Sequence, residues 1–268
     1  MEEKMTVPKI VSLKGKRKIV SVTAYDYLFA RIVDEAGFDF ILVGDSVGTT
    51  YQGLNSTIPV TMEEMLYHTR IVRRGVKYSL VVGDMPFLSY QTSIEDAIRN
   101  AGLFLKNGAD AVKLEGGIQV RDIIKKMVSF GIPVMGHVGL TPQSLNLMGG
   151  YKIQGKSEAS IKRLKDDVEA LVEAGVFAIV LEGIYEDVAK EITESVPIPT
   201  IGIGAGVHCD GQILVITDLL GLDPTFTPKF VKKYRDLHKE VLSALTEFKE
   251  DILNEKFPEE GHSFKRKE

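Results

Sequence analysis

Short apolar runs rich in Val and Ile alternate with amphipathic stretches that open on capping residues and close on glycine. That alternation is the signature of repeated βα units. Runs near 19–25, 39–45, 79–84, 111–115, 133–138, 177–182, 199–204 and 212–217 predict eight strands. Helices are predicted over 27–36, 62–75, 94–107, 118–130, 157–174 and 185–195. Thr61 with Glu64 reads as a capping box, and Gly37, Gly75, Gly108, Gly131 and Gly175 read as helix stops. From Lys229 onward, Phe230, Tyr234, Leu237, Val241, Leu245, Phe248 and Ile252 recur every three or four residues and predict a helical extension.

Three segments repeat one design of helix stop, buried strand and carboxylate: 36–45 ending on Asp45, 107–115 ending on Glu115, and 174–182 ending on Glu182. A fourth strand, Leu80-Val-Val-Gly-Asp84, also ends on an acid. Glu115 follows Asp84 by one unit and Glu182 follows Glu115 by two units of about 33 residues each, the length expected of an eight-fold closed arrangement. The predicted fold is therefore α/β, a (β/α)8 TIM barrel. Residues 1–268 are expected to form a single domain, with 1–18 as an N-terminal segment and 229–268 as a C-terminal helical extension and tail. Two loops, Ser46 to Pro59 and Gly139 to Lys156, are long enough to serve as lids or to make subunit contacts.

Composition narrows the class without changing this picture. With 44% hydrophobic and 26% charged residues, the chain has the make-up of a folded globular protein, and no apolar run approaches the length of a membrane span. The start, Met1-Glu-Glu-Lys-Met5, is acidic where a secretory signal is basic, and the one cysteine, Cys209, excludes an intrachain disulfide framework. A cytoplasmic protein is the expectation. The net charge of −4 argues against a nucleic-acid partner, and the basic run 265–267 reads as a solvated tail.

In a parallel barrel the strand C-termini share one rim, so Asp45, Asp84, Glu115 and Glu182 are expected to converge. Any one of these acids alone reads as a rim ion pair or helix cap. Four together repel, and a divalent cation, basic partners or suppressed ionisation must compensate. Oxygen donors without a histidine cluster point to a hard ion, Mg2+ first. Lys113 lies two residues before Glu115, so strand alternation directs both into the barrel. The lysine either pairs with an acid or neutralises a substrate anion. His137, ending the fifth strand, is either a structural residue or a proton carrier. Gly202-Ile-Gly-Ala-Gly206 occupies a place where barrels often bind phosphate, without the rest of a dinucleotide fingerprint.

The motifs Thr23-Ala-Tyr-Asp-Tyr27, Val43-Gly-Asp-Ser-Val-Gly48, Gly83-Asp-Met-Pro-Phe87, Val112-Lys-Leu-Glu-Gly116, Gly136-His-Val-Gly-Leu-Thr-Pro-Gln143 and Gly202–Gly206 follow one another in order over nearly the whole chain. Together with Gly149–Gly155 and Asp218–Gly221, they resemble the ketopantoate hydroxymethyltransferase family. The resemblance implies transfer of a one-carbon unit from 5,10-methylenetetrahydrofolate to 3-methyl-2-oxobutanoate, giving 2-dehydropantoate for pantothenate and coenzyme A. It implies Mg2+ on Asp45, Asp84 and Glu115, and oxo-acid contacts from Asp45, Ser46, Asp84 and Lys113. Glu182 would be the general base, with Lys113 and His137 as further catalytic candidates, in a homodecamer.

Two alternatives remain at this level. One is a metal-dependent 2-oxo-acid lyase or mutase of the phosphoenolpyruvate mutase/isocitrate lyase group, against which stands the lack of a cysteine-bearing catalytic loop. The other is a non-catalytic barrel binding protein, which would leave four rim acids and an inward lysine as an unexplained electrostatic cost.

Overall fold

The computed structural model describes residues 3–225 and 227–266. Met1 and Glu2 of the acidic start and Lys267 and Glu268 of the basic end lie outside them. The chain divides into two compact units, Met1–Val215 and Ile216–Glu268.

The first unit is a closed parallel barrel in the order β1 to β8, so the predicted architecture stands. Its strands are β1 (Ile19–Thr23), β2 (Phe40–Val43), β3 (Leu80–Asp84), β4 (Ala111–Glu115), β5 (Val134–Gly139), β6 (Ala178–Glu182), β7 (Thr200–Ile203) and β8 (Gly211–Gln212). Helices α1 (Val7–Ser12), α2 (Tyr27–Glu35), α3 (Val47–Thr50), α4 (Met62–Gly75), α5 (Ile94–Lys106), α6 (Arg121–Ser129), α7 (Leu145–Met148), α8 (Glu158–Ala174) and α9 (Glu186–Ser195) accompany them. The capping box at Thr61 and Glu64 forms as expected. The two long loops each carry one short helix, α3 and α7.

Alternation along each strand fills the barrel. Phe40, Leu42, Leu80, Val82, Ala111, Met135, Ala178, Val180 and Ile201 belong to one buried cluster, joined by Ile10 from α1. Ala111 fixes the parity of β4: Lys113 and Glu115 follow it at intervals of two, on the same inward face. At the end of β5, Gly139 has φ of +101°, and a Cβ there would lie 2.2 Å from the Glu182 carbonyl oxygen. Only glycine lets the chain turn into its long loop so close to β6.

Three boundaries differ from the pattern-based expectation. The second strand ends at Val43, so Asp45 lies just beyond it. The eighth strand is two residues long rather than spanning 212–217. Ile213 and Thr23 still donate backbone bonds to Gly202 and Leu214, but the chain then coils into the helix of the second unit, α10 (Ile216–Leu220). A short apolar run does not distinguish strand from helix by its period. In that second unit, α11 (Leu237–Leu253) begins eight residues after Lys229. The Tyr234 and His238 N–H groups donate to Leu219 and Gly221, which removes the i to i−4 bonds a helix would need there.

One buried acid anchors the entry to β3. Asp34 of α2 accepts from the backbone N–H groups of Lys77, Tyr78 and Ser79 at 2.8, 3.0 and 2.8 Å. Burial opposes its charge, but these donors outweigh it and hold the carboxyl below the ordinary aspartate value. Asp34→Ala leaves the donors unmatched and is expected to cost on the order of 3 kcal/mol, read from urea unfolding. The wild-type contribution is present at neutral pH and disappears as pH falls through the depressed value, so wild type and variant should converge in acid; a constant gap down to pH 2 would contradict this account.

Candidate active site

Five neighbouring strands bring six ionisable side chains to the carboxyl end of the barrel. Asp84 is paired in register with Lys113, Glu115 with His137, and Gly139 with Glu182. Lys113 Nζ donates to both oxygens of Asp84, at 2.8 and 3.0 Å, and lies 3.9 Å from Glu115 Oε1. His137 stands between the next two acids, with Nδ1 3.4 Å from Glu115 and Nε2 3.3 Å from Glu182. The charges thus alternate around half the barrel: Asp84, Lys113, Glu115, His137, Glu182. Asp45 adjoins this array, its N–H donating to Asp84 Oδ2 at 3.2 Å. Ser46 follows it, and its hydroxyl meets that of Tyr25 at 2.8 Å.

All seven residues named from the sequence therefore lie in one place, lining a single cavity of about 90 Å3. Its other walls include Leu42, Val180, Ile203, Ile213 and Leu214, so the cavity joins a charged face to an apolar one. Asp45, Asp84, Lys113, Glu115 and His137 are buried, whereas the Glu182 side chain keeps 17% of its surface exposed. Glu182 is thus the acid of the array that remains in contact with the opening. The loop after β5 also reaches toward this mouth: partial burial, Glu182 and Asp45 together push the Tyr151 pKa above the ordinary tyrosine value.

Electrostatics distinguish the acids. Burial raises Asp45 well above the ordinary carboxylate range, reinforced by Asp84 and Glu115 and offset only in part by Lys113 and Gln143. Burial also raises Asp84, despite Lys113 beside it. Glu115 is lowered in spite of burial, because His137 and Lys113 both favour its charge. Burial and Lys113 disfavour a charged His137, but Glu115 and Glu182 outweigh them and raise it to about 9. Lys113 is raised as well, its three acid neighbours overcoming desolvation.

Among the described residues, no three His, Cys, Asp or Glu side chains converge as a set ready to hold a metal. Glu115 accepts from the Gln143 N–H with Oε2, while Oε1, 3.4 Å from His137, is buried without a hydrogen-bond partner among the described residues. The fit to a cation rests instead on Asp45 and Asp84, an oxygen-only pair whose negative charge Lys113 neutralises only in part. Two further residues, Gln143 and Tyr90, complete the site without having been singled out as site residues from the sequence. Gln143 bonds Asp45, the Met85 carbonyl and Tyr90, and the Tyr90 hydroxyl accepts from the Glu115 N–H at 3.2 Å. Gln143 closes one of the motifs quoted above; nothing in the pattern marks Tyr90. The glycines of 202–206 contribute the wall residue Ile203.

A closed parallel barrel with a buried, charge-alternating cluster at its strand C-termini defines a (β/α)8-barrel enzyme. Residues 4–260 match the family model described as ketopantoate hydroxymethyltransferase, and the chain belongs to that family of transferases. It is 56% identical over 261 residues to the 3-methyl-2-oxobutanoate hydroxymethyltransferase of Thermosipho melanesiensis, covering 97% of this chain and 99% of that one. Among solved structures, phosphonopyruvate hydrolase in complex with oxalate and Mg2+ is similar in fold, with TM-score 0.62 and 14% identity over 96% of this chain and 93% of the other. So is 2,3-dimethylmalate lyase, a member of the phosphoenolpyruvate mutase/isocitrate lyase superfamily, with TM-score 0.57 and 18% identity over 91% and 95%. The fold is shared with that group; the family is the hydroxymethyltransferase. No helix among the described residues is long and apolar enough to cross a membrane.

The position of His137 between two acids has a direct spectroscopic consequence. In metal-free protein its ring protons should titrate near 9 by NMR, and Glu182→Gln should move that value down toward the ordinary 6.5. The stabilisation is present in full below the unfolded value and is lost as pH rises through about 9. A ring that titrates at the ordinary value in both proteins would show that the imidazolium is not held in this way.

Proposed function

We propose that this chain catalyses Mg2+-dependent transfer of the one-carbon unit of 5,10-methylenetetrahydrofolate to 3-methyl-2-oxobutanoate, giving 2-dehydropantoate. The observation that carries the reading is the buried array in which Asp45 and Asp84, a lysine and an imidazolium-held Glu182 share one small cavity. Magnesium held by Asp45 and Asp84, with Glu115 beside them, supplies Lewis-acid polarisation of the oxo acid when bound. A solved barrel of the same fold was obtained with Mg2+ and oxalate, a small anion that, like a 2-oxo acid, carries oxygens on two adjacent carbons, which supports this assignment.

The chain's own residues do the rest. Lys113 and the Ser46 segment receive the anionic end of the oxo acid, and Lys113 offsets negative charge as it develops on the keto oxygen. Glu182 takes the proton from C3. His137 fixes the Glu182 carboxylate from the barrel side, so that its exposed oxygen faces the substrate. Water supplies the hydroxyl oxygen: it adds to the methylene carbon as the two C–N bonds to the folate break, leaving tetrahydrofolate, and the C3 carbanion equivalent forms its new bond to that formaldehyde-level carbon, whose oxygen takes a proton back from Glu182. The apolar walls at Leu42, Val180 and Ile203 receive the methyl groups and keep bulk water from the C3 carbanion equivalent. The loops 46–59 and 139–156 act as lids over the mouth. A homo-oligomer, a decamer by family resemblance, and a cytoplasmic setting belong to the same reading.

Proton removal from C3 is separable from carbon transfer, which makes the proposal testable in two stages. With Mg2+ in D2O and no folate, the protein should exchange the C3 hydrogen of 3-methyl-2-oxobutanoate for deuterium, followed by NMR. Glu182→Gln should slow that exchange by about 100-fold or more, the usual worth of a general base. Addition of 5,10-methylenetetrahydrofolate should then yield 2-dehydropantoate. Exchange independent of both Mg2+ and Glu182 would overturn the mechanism, and exchange without product would return the chain to the lyase and mutase chemistry.

A further inference from the structure

Gln143 is a buried, uncharged residue in the short 3-10 turn Pro142–Ser144, through which the chain leaves β5 for its long loop. Its polar atoms are committed with unusual completeness. Nε2 donates to Asp45 Oδ2 at 2.9 Å and to the Met85 carbonyl at 3.0 Å. Oε1 accepts from the Tyr90 hydroxyl at 2.7 Å and lies 3.5 Å from Gln91 Nε2. The backbone N–H donates to Glu115 Oε2 at 3.1 Å. Because Asp45 and the Met85 carbonyl only accept, the amide has one satisfactory orientation. A residue just after β5 thereby grips the acid after β2 with its side chain and the acid ending β4 with its backbone.

The Glu115 contact survives any side-chain change at position 143, whereas the Asp45 contact depends on the amide alone. Asp45 is the acid with the least cationic compensation in the array, so its orientation rests on this neutral donor. The amide thus holds one carboxylate oxygen, Oδ2, of an acid that lines the cavity. Resting on the reading given under Proposed function, we propose that Gln143 is a positioning residue: its amide sets the rotamer of Asp45 for the cation, and registers the loop after β5 on that carboxylate.

The test compares wild type with Gln143→Met, which keeps the length of the side chain and removes the amide. Titration calorimetry with Mg2+ alone should show affinity lower by about 10- to 100-fold, the usual cost of losing a group that orients a metal-binding side chain. In the deuterium-exchange assay, the Mg2+ concentration for half-maximal rate should rise by a similar factor. KM for the oxo acid at saturating Mg2+ should stay at the wild-type value, because Lys113 does not touch Gln143. In an Asp45→Asn background, Gln143→Met should add nothing further to the loss of Mg2+ affinity.

Wild-type Mg2+ affinity in Gln143→Met overturns the inference, as does a uniform loss of Mg2+ affinity, KM and thermal stability, which would mark a structural role. Should Gln143→Met fail to fold, Gln143→Asn carries the same expectation, since its amide is one methylene short of Asp45. A wild-type protein that neither binds Mg2+ nor exchanges the C3 hydrogen defeats the hydroxymethyl-transfer reading itself, and the inference with it. Loss of the effect in the variant alone defeats only the inference.

Discussion

The contact between the Lys113 ammonium and both oxygens of Asp84 is the interaction on which the site depends. Neither partner has more than 5% of its side chain exposed, so each would be prohibitively costly to bury alone. Together they form the centre of an array in which two further buried members owe their charge to neighbours. Glu115 is held charged by Lys113 and His137, and His137 by Glu115 and Glu182. Removing the lysine would leave Asp84, Glu115 and Asp45 facing one another with no positive charge nearer than the imidazolium. A buried ion pair of this kind is weak evidence for stability, and its presence here is better explained by chemistry than by the strength of the fold.

Barrel geometry makes the array possible. Register places Asp84 opposite Lys113 and Glu115 opposite His137, so adjacent strands supply opposite charges at matching heights. Inward alternation does the rest, because Ala111, Lys113 and Glu115 share one face of β4 and rise from the apolar filling to the rim. The cluster is therefore apolar at its base and ionic at its top. That gradient lowers the local dielectric beneath the charges and strengthens every interaction among them.

The same alternation is why so much was legible in the sequence. Val- and Ile-rich runs closing on Asp84, Glu115 and Glu182 declare both a strand and its end, and the parity of Lys113 with Glu115 needs only the two-residue repeat. Features that escaped depend on contacts no repeat encodes. Residues 229–236 keep a helical spacing of apolar positions, yet the Tyr234 N–H donates to Leu219 and that of Val231 closes a turn on Pro228. β8 shrinks because the residues after Gln212 pass into a helix, and Asp45 lies beyond β2 because the chain turns at Gly44 before reaching it. Gln143 and Tyr90 carry no charge and sit on no periodic face, so their part in the site emerges only when three distant segments are brought together.

The distribution of partners also orders the acids by availability. Glu115 is occupied at one oxygen by the Gln143 N–H and faces His137 with the other, while Asp84 is shared with Lys113. Asp45 bonds a neutral amide and has no direct cation contact. A cation entering the cavity gains most at Asp45, where ionisation is most strongly suppressed, and it need not displace the lysine from Asp84, because each carboxylate oxygen has a second lone pair to offer. The proposed magnesium would then take the place of the proton that burial favours on Asp45. The lysine would remain free of that exchange, its charge already fixed by the acids around it and available to the anionic end of the substrate.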